Sequence, residues 1–132
     1  MILTTAETVV AAAKAAVSEH SLPPMSISIV DSGAHLVAFA RMDGTFIASI
    51  DVAHRKARTA ALFATDTAAL GPILRPGSAA YTLENSNGGL IAFGGGVLLK
   101  DDTGKMIGAV GVSGGTVEDD EFVAQAAAAA LT

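Results

Sequence analysis

The chain has 132 residues, 51% of them hydrophobic, and a formal net charge of −5 from eight basic and thirteen acidic side chains. That length predicts one domain over residues 1–132, and the acidic balance argues against nucleic-acid partners, which need a positive surface to displace condensed counterions. The absence of cysteine excludes disulfides, Cys-based zinc sites, iron–sulfur clusters and thiol catalysis.

In chain order, Thr4 with Glu7 has the spacing of a capping box, and Ala6, Val9, Val10, Ala13 and Val17 recur at helical steps. This predicts a first helix ended by Leu22-Pro23-Pro24. From Met25 to Asp31, Ile27 and Ile29 alternate with Ser26 and Ser28, Ser32-Gly33 turns the chain, and the run from His35 to Arg41 answers as the second strand of a hairpin. After the turn signal Asp43-Gly44, residues Ile47, Ile50, Ala53, Ala57, Ala61 and Ala64 form one helical stripe, a central helix of about five turns at 3.6 residues per turn. Gly71-Pro72 and Arg75-Pro76-Gly77 interrupt regular structure.

Ten of the fourteen glycines then fall between Gly88 and Gly115, around apolar runs at 90–93, 97–100 and 106–112 that predict three strands, the last two joined by an Asp102-Thr103-Gly104 turn. Thr116 caps a final helix with Glu118, Asp119 and Asp120 in its first turn, where negative charge is favoured. The order α, ββ, αα, βββ, α predicts an α+β fold, a five-stranded mostly antiparallel sheet flanked by helices in a profilin-like layer arrangement. The many Ala and Gly residues suit close packing and flat apolar surfaces, so a homo-oligomer is expected. No apolar run reaches the roughly 18 residues of a bilayer span. The first twenty residues lack a basic leader, and Glu7 and Lys14 interrupt their apolar stretch, so the expectation is a cytoplasmic protein without a membrane partner.

Gly111-Val112-Ser113-Gly114-Gly115 has the form of a nucleophile elbow, but no histidine follows Ser113 and too little chain remains for that hydrolase fold. Gly104-Lys105 precedes Met106 where a phosphate loop needs Ser or Thr. His20, His35 and His54 match no zinc spacing, so no metal site is predicted. His20 at a helix end and His35 at a strand start have structural explanations. His54 falls within the central helical stripe, either as a hydrogen-bonded core histidine or as a residue aimed at a cavity. A further constellation joins Arg41 and Asp43 at a strand end, Lys56 on the next helix, and Tyr81 and Glu84 beyond it, charges suited to orienting a small carboxylate and moving a proton.

Taken together, Ile29-Val30-Asp31-Ser32-Gly33, Arg41-Met42-Asp43-Gly44, Ser49-Ile50-Asp51, Lys56-Ala57, Phe93-Gly94-Gly95-Gly96-Val97 and the stretch from Gly108 through Glu118 make the chain resemble the GlcG/HbpS family. That family includes the C-terminal domain of PduO-type corrinoid adenosyltransferases. The resemblance spans nearly the whole chain. It implies a five-stranded antiparallel sheet with flanking helices, assembly into dimers or rings, a ligand site near subunit contacts, and ligands such as haem, iron or corrinoid-related molecules. Neither a secretory leader, as in secreted haem-sensing relatives, nor an adenosyltransferase domain is expected here, and Leu98-Leu99 stand where relatives often carry Pro.

Two functional expectations follow. In the first, a small-ligand-binding protein takes haem or a similar flat, anionic molecule, with an axial ligand from His35, His54 or Tyr81 and propionates meeting Arg41 or Lys56. In the second, a cofactor-independent isomerase, tautomerase or lyase holds a small carboxylate on Arg41 while Asp43 or Glu84 exchanges a proton, assisted by Lys56 or His54.

Overall fold

The computed structural model describes residues 1–132. Helix α1 (Leu3–Glu19) leads into the hairpin β1 (Ser26–Asp31) and β2 (Leu36–Arg41), then helix α2 (Ser49–Phe63). A connecting region holds the short helix α3 (Gly71–Leu74) between two 3₁₀ turns, Thr67–Ala69 and Tyr81–Asn85. Strands β3 (Gly96–Lys100) and β4 (Met106–Ser113) and helix α4 (Val117–Ala129) complete the chain. The strands form one antiparallel sheet in the order β2-β1-β4-β3.

The sheet has four strands where the sequence predicts five. Residues 90–93 are apolar but unpaired: the Leu90 amide donates to the Glu84 carbonyl and the Ile91 amide to Thr59 Oγ1 on α2, so neither is free for a ladder. Gly88, Gly89 and Gly95 bracket the run with φ of 76°, 104° and 121°, which bends the chain out of strand geometry on both sides. Helix α1 also begins earlier than expected, with Ile2 at its N-cap; Thr4 lies inside the helix, where its carbonyl accepts from Thr8 Oγ1 instead of its side chain capping. The final helix follows expectation: Thr116 Oγ1 accepts from the Asp119 amide, and Asp119 returns a carboxylate oxygen to the Thr116 amide.

Both faces of the sheet are covered, by different chemistry. On one face Ile27, Ile29, Val97, Leu99, Val110 and Val112 meet the inward sides of α1 and α4, and this is the main core. On the other face Ser26, Ser28, Ala109 and Gly111 of β1 and β4 are small, and α2 lies over them through Ala53, Ala57 and Ala60. A Cβ at Gly111 of β4 would overlap the Ala53 carbonyl and the Ala57 amide, so the helix backbone touches the strand. Serine fills the remaining gap: Ser49 Oγ donates to the Phe46 carbonyl at 2.7 Å, which leaves the 2.8 Å bond between Ser26 and Ser49 for the Ser26 hydroxyl to donate. The alternation of Ser and Ile in β1 thus separates two buried faces instead of an inner and an outer one. No helix is long and apolar enough to cross a membrane.

Candidate functional site

Helix α2 rests on β1, β3 and β4 and leaves the same face of the edge strand β2 uncovered. Between that strand and the helix lies an open hollow of about 580 Å³, walled by Leu36 and Phe39 of β2 and by Ile47, Ile50, Asp51 and His54 at the start of α2. Its volume falls in the range of small-molecule sites, roughly 300–1,000 Å³. Leu36 and Ile47, both on its walls, are 56% and 77% exposed, so the hollow presents bare aliphatic surface. Ile47 belongs to the wall and not to the packed stripe because α2 begins at Ser49, later than the periodicity predicts.

His54 is the one imidazole on the hollow. Its Nδ1 lies 3.0 Å from Ser28 Oγ on β1, so the sheet holds one edge of the ring and Nε2 is left for a ligand. Burial lowers its pKa below the ordinary histidine value, and the Arg58 guanidinium one turn along the helix lowers it further, so the ring is neutral near pH 7. Of the two sequence alternatives for His54, the structure combines both: it is hydrogen-bonded to the core on one side and lines a cavity on the other. Arg41 pairs with Ser26 as Phe39 pairs with Ser28, which places Arg41 two residues beyond Phe39 on the same face of β2. Its side chain is exposed and makes no hydrogen bond or ion pair within the chain.

Lys56 takes a different part from the one expected. It is fully buried, and its Nζ donates to the Val112 carbonyl and to Asp120 Oδ2, both at 2.9 Å, with the Phe93 ring 5.0 Å away. A side chain at Gly95 would strike this ammonium, so the glycine run at the start of β3 makes the passage through which Lys56 reaches α4. Asp120 Oδ1 meanwhile accepts from the Gly114 and Gly115 amides. Burial pulls the Lys56 pKa down and the Asp120 pKa up, while the contact between them opposes both shifts. With no polar atom of either side chain left without a partner, the pair is a charged pin between α2, β4 and α4, and Lys56 has no exposed surface to offer a ligand.

Asp43 and Glu84 are exposed, and no hydrogen bond or ion pair joins any two of Arg41, Asp43, Lys56 and Glu84. None of these four side chains lines one of the three larger hollows. His35, with its side chain 82% exposed, sits 3.3 Å from Asp31 in the hairpin turn, and Tyr81 is exposed in the second 3₁₀ turn; neither lines one of the three larger hollows.

A second apolar hollow of about 560 Å³ lies across the molecule between Phe93, Val117 and Phe122, rimmed by Glu118 and Glu121. His20 stacks edge-on against Phe122 at a centroid distance of 4.6 Å. This hollow offers no imidazole among its walls, and it carries two carboxylates against the single Asp51 of the first. Ser28, Phe39 and Asp120 escape notice in the sequence. Ser28 reads there as the polar half of an alternating strand, and Asp120 as one of three acids favoured at a helix start.

These features define a layered α+β chain whose sheet carries an open apolar hollow beside a neutral histidine. The family model described as "Haem degrading protein HbpS-like" matches residues 1–129, and the chain belongs to this HbpS-like family. Among curated relatives it is 40% identical over 104 residues to an uncharacterized 15.0 kDa protein of the dhaT-dhaS intergenic region of Citrobacter freundii, covering 79% of this chain and 73% of that one. It is 40% identical over 109 residues to the corrinoid adenosyltransferase PduO of Salmonella typhimurium, where the match covers 82% of this chain but only 32% of the relative. The chain thus spans about a third of that enzyme's length. Among solved structures, a complex of PduOC with haem superposes with a TM-score of 0.92 at 34% identity, covering 100% of this chain and 95% of that one. Klebsiella pneumoniae protein ORFY superposes with a TM-score of 0.94 at 34% identity, covering 99% and 90%.

Proposed function

We propose that the protein binds haem, or a similar flat molecule bearing carboxylates, in the hollow between β2 and α2, with His54 as the axial ligand. The observation that carries this reading is an imidazole, anchored through one nitrogen, on the wall of a mostly apolar hollow. Leu36, Phe39, Ile47 and Ile50 supply faces for a macrocycle, and Arg41 on the same side of β2 supplies a cation for its carboxylates. When bound, haem would supply an iron able to take a nitrogen ligand, and His54 would be the residue to hold it. The haem complex of a relative with the same fold supports the choice of ligand class.

Titrating the protein with haemin tests the assignment. A saturable Soret shift is expected, lost in His54→Ala and kept in His35→Ala, Tyr81→Phe and His20→Ala. No shift in the native protein overturns the ligand; a shift that survives His54→Ala and vanishes in His20→Ala moves it to the Phe93–Phe122 hollow. The same reading includes self-association, because Phe46, Ile73, Phe93, Val117 and Phe122 are also more than two-fifths exposed. Light scattering is expected to give a multiple of the 13.2 kDa chain mass, and a mass of one chain removes assembly from the account.

A further inference from the structure

The hollow between Phe93, Val117 and Phe122 takes no part in the haem-binding reading, and its walls carry a different chemistry. One wall is a single side of α4, where Val117 and Glu121, and likewise Glu118 and Phe122, are one helical turn apart. The stretch 92–94 leading into β3 makes the other, with Gly71 of α3 beside it. Phe93 and Phe122 are each more than two-fifths exposed, so two aromatic rings border the open space. A Cβ at Gly94 would lie 3.2 Å from Glu121 and 3.4 Å from Val117, and the missing side chain is what keeps that space clear. Both charged residues on the walls are acidic, and neither Glu118 nor Glu121 takes part in an ion pair. Glu121 is nevertheless fixed in place, its Oε1 accepting from the Gly95 amide at 2.9 Å and its Oε2 from Gln125 Nε2 at 2.8 Å.

The geometry points to a second ligand site in this hollow, for a small organic cation of the methylated-ammonium class. Two carboxylates without a counter-cation and two aromatic rings all favour positive charge. Phe93 already receives one cation from the core side, with Lys56 Nζ 5.0 Å from its centroid, and that ammonium is neutralised by Asp120 at 2.9 Å. A volume of about 560 Å³ suits a small molecule. The apolar walls select among cations. A bare ammonium or a metal ion holds its water and gains nothing from Phe, Val and Ala side chains, and no group of three metal-ligating side chains is gathered anywhere in the chain. A cation dressed in methyl groups is weakly hydrated, so it buries apolar surface while its charge stays beside Glu118 and Glu121. A second copy of the chain fits less well: pairing this face about a two-fold axis sets the two glutamates against their own counterparts, in a molecule whose net charge is already −5.

Choline serves as the probe, and its uncharged isostere, with a tert-butyl group in place of the trimethylammonium, is the control for apolar contact alone. NMR of the protein labelled at phenylalanine reads the site. Choline is expected to give saturable shifts of the Phe93 and Phe122 ring signals while Phe39, on the other hollow, stays unmoved. It is expected to bind about tenfold more tightly than the isostere, the scale of a cation held by aromatic rings beside a carboxylate. Glu118→Gln, at an exposed position, is expected to weaken choline about threefold and to leave the isostere unchanged. Phe122→Leu, which keeps an apolar side chain, is expected to remove most of the preference for the cation, and circular dichroism checks that both variants keep the fold. Equal affinity for the two probes makes the hollow a plain apolar groove and overturns the inference. So do ring signals that stay still, or shifts that persist unchanged in both variants. Haemin has no part in this test: choline binding by a chain that shows no Soret shift leaves this site standing and overturns haem as the ligand of the other.

Discussion

A lysine ammonium with no exposed surface has to be compensated where it sits, because an isolated buried charge is far more costly than the packing it brings. Lys56 is compensated three ways, by the Asp120 carboxylate, the Val112 carbonyl and the face of Phe93. Removing one partner strands the other, so Lys56→Met is expected to destabilise the fold by about 3–5 kcal/mol in urea unfolding, and Lys56→Met with Asp120→Leu to recover part of that loss. A single substitution costing under about 1 kcal/mol would show the pair to be dispensable. At His54 the linkage runs with pH. Its folded pKa is depressed by burial, so below the ordinary value near 6.5 the unfolded chain takes up a proton that the folded chain refuses. Stability contributed by the neutral ring is therefore present above about pH 6.5 and declines as pH falls toward the folded pKa. The stability difference between native and His54→Ala chains should shrink between pH 7.5 and pH 5.5, and a constant difference would contradict the depressed pKa. The sequence offers both halves of the His54 environment as alternatives, but not the part played by Lys56. Lys56 occupies an inward position among Ala53, Ala57 and Ala60, yet its partner is 64 residues away, and no local spacing reports such a pair.

Most of the secondary elements follow from local signals, because the hairpin at Ser32-Gly33, the Asp101–Lys105 turn and the Thr116 capping box all act within a few residues. Besides the early start of α1, two misplacements concern the site. Residues 90–93 have strand composition but spend their amides on Thr59 and Glu84, and the start of α2 retreats to Ser49, which frees Ile47 for the hollow. What positions α2 is the absence of side chains beneath it, at Gly111 above all. Gly111→Ala would force the Ala53–Ala57 turn away from β4, with an expected loss of about 1–3 kcal/mol, the usual cost of overpacking. A thermal unfolding curve unchanged from the native protein would show that the helix has slack. Because His54 directly follows Ala53 in α2, the same substitution should also weaken haemin binding.

At the scale of the molecule, a single helix cannot cover four strands. Helix α2 sits over the inner pair and β3, while β2 at the opposite edge keeps one face bare. The resemblance stated from sequence led to the correct family, and the helix, hairpin and Gly-rich strand regions that carry it are those of the structure. The hollow itself could not be read from the chain, since its walls are separated in sequence and its apolar residues look like ordinary core. Its occupant is the central claim, and a crystal of the protein grown or soaked with haemin tests that claim most directly. Electron density for the macrocycle is expected between Phe39 and α2, with iron bonded to His54 and the carboxylates turned toward Arg41. Density between Phe93 and Phe122, or iron bound by any other side chain, would contradict it.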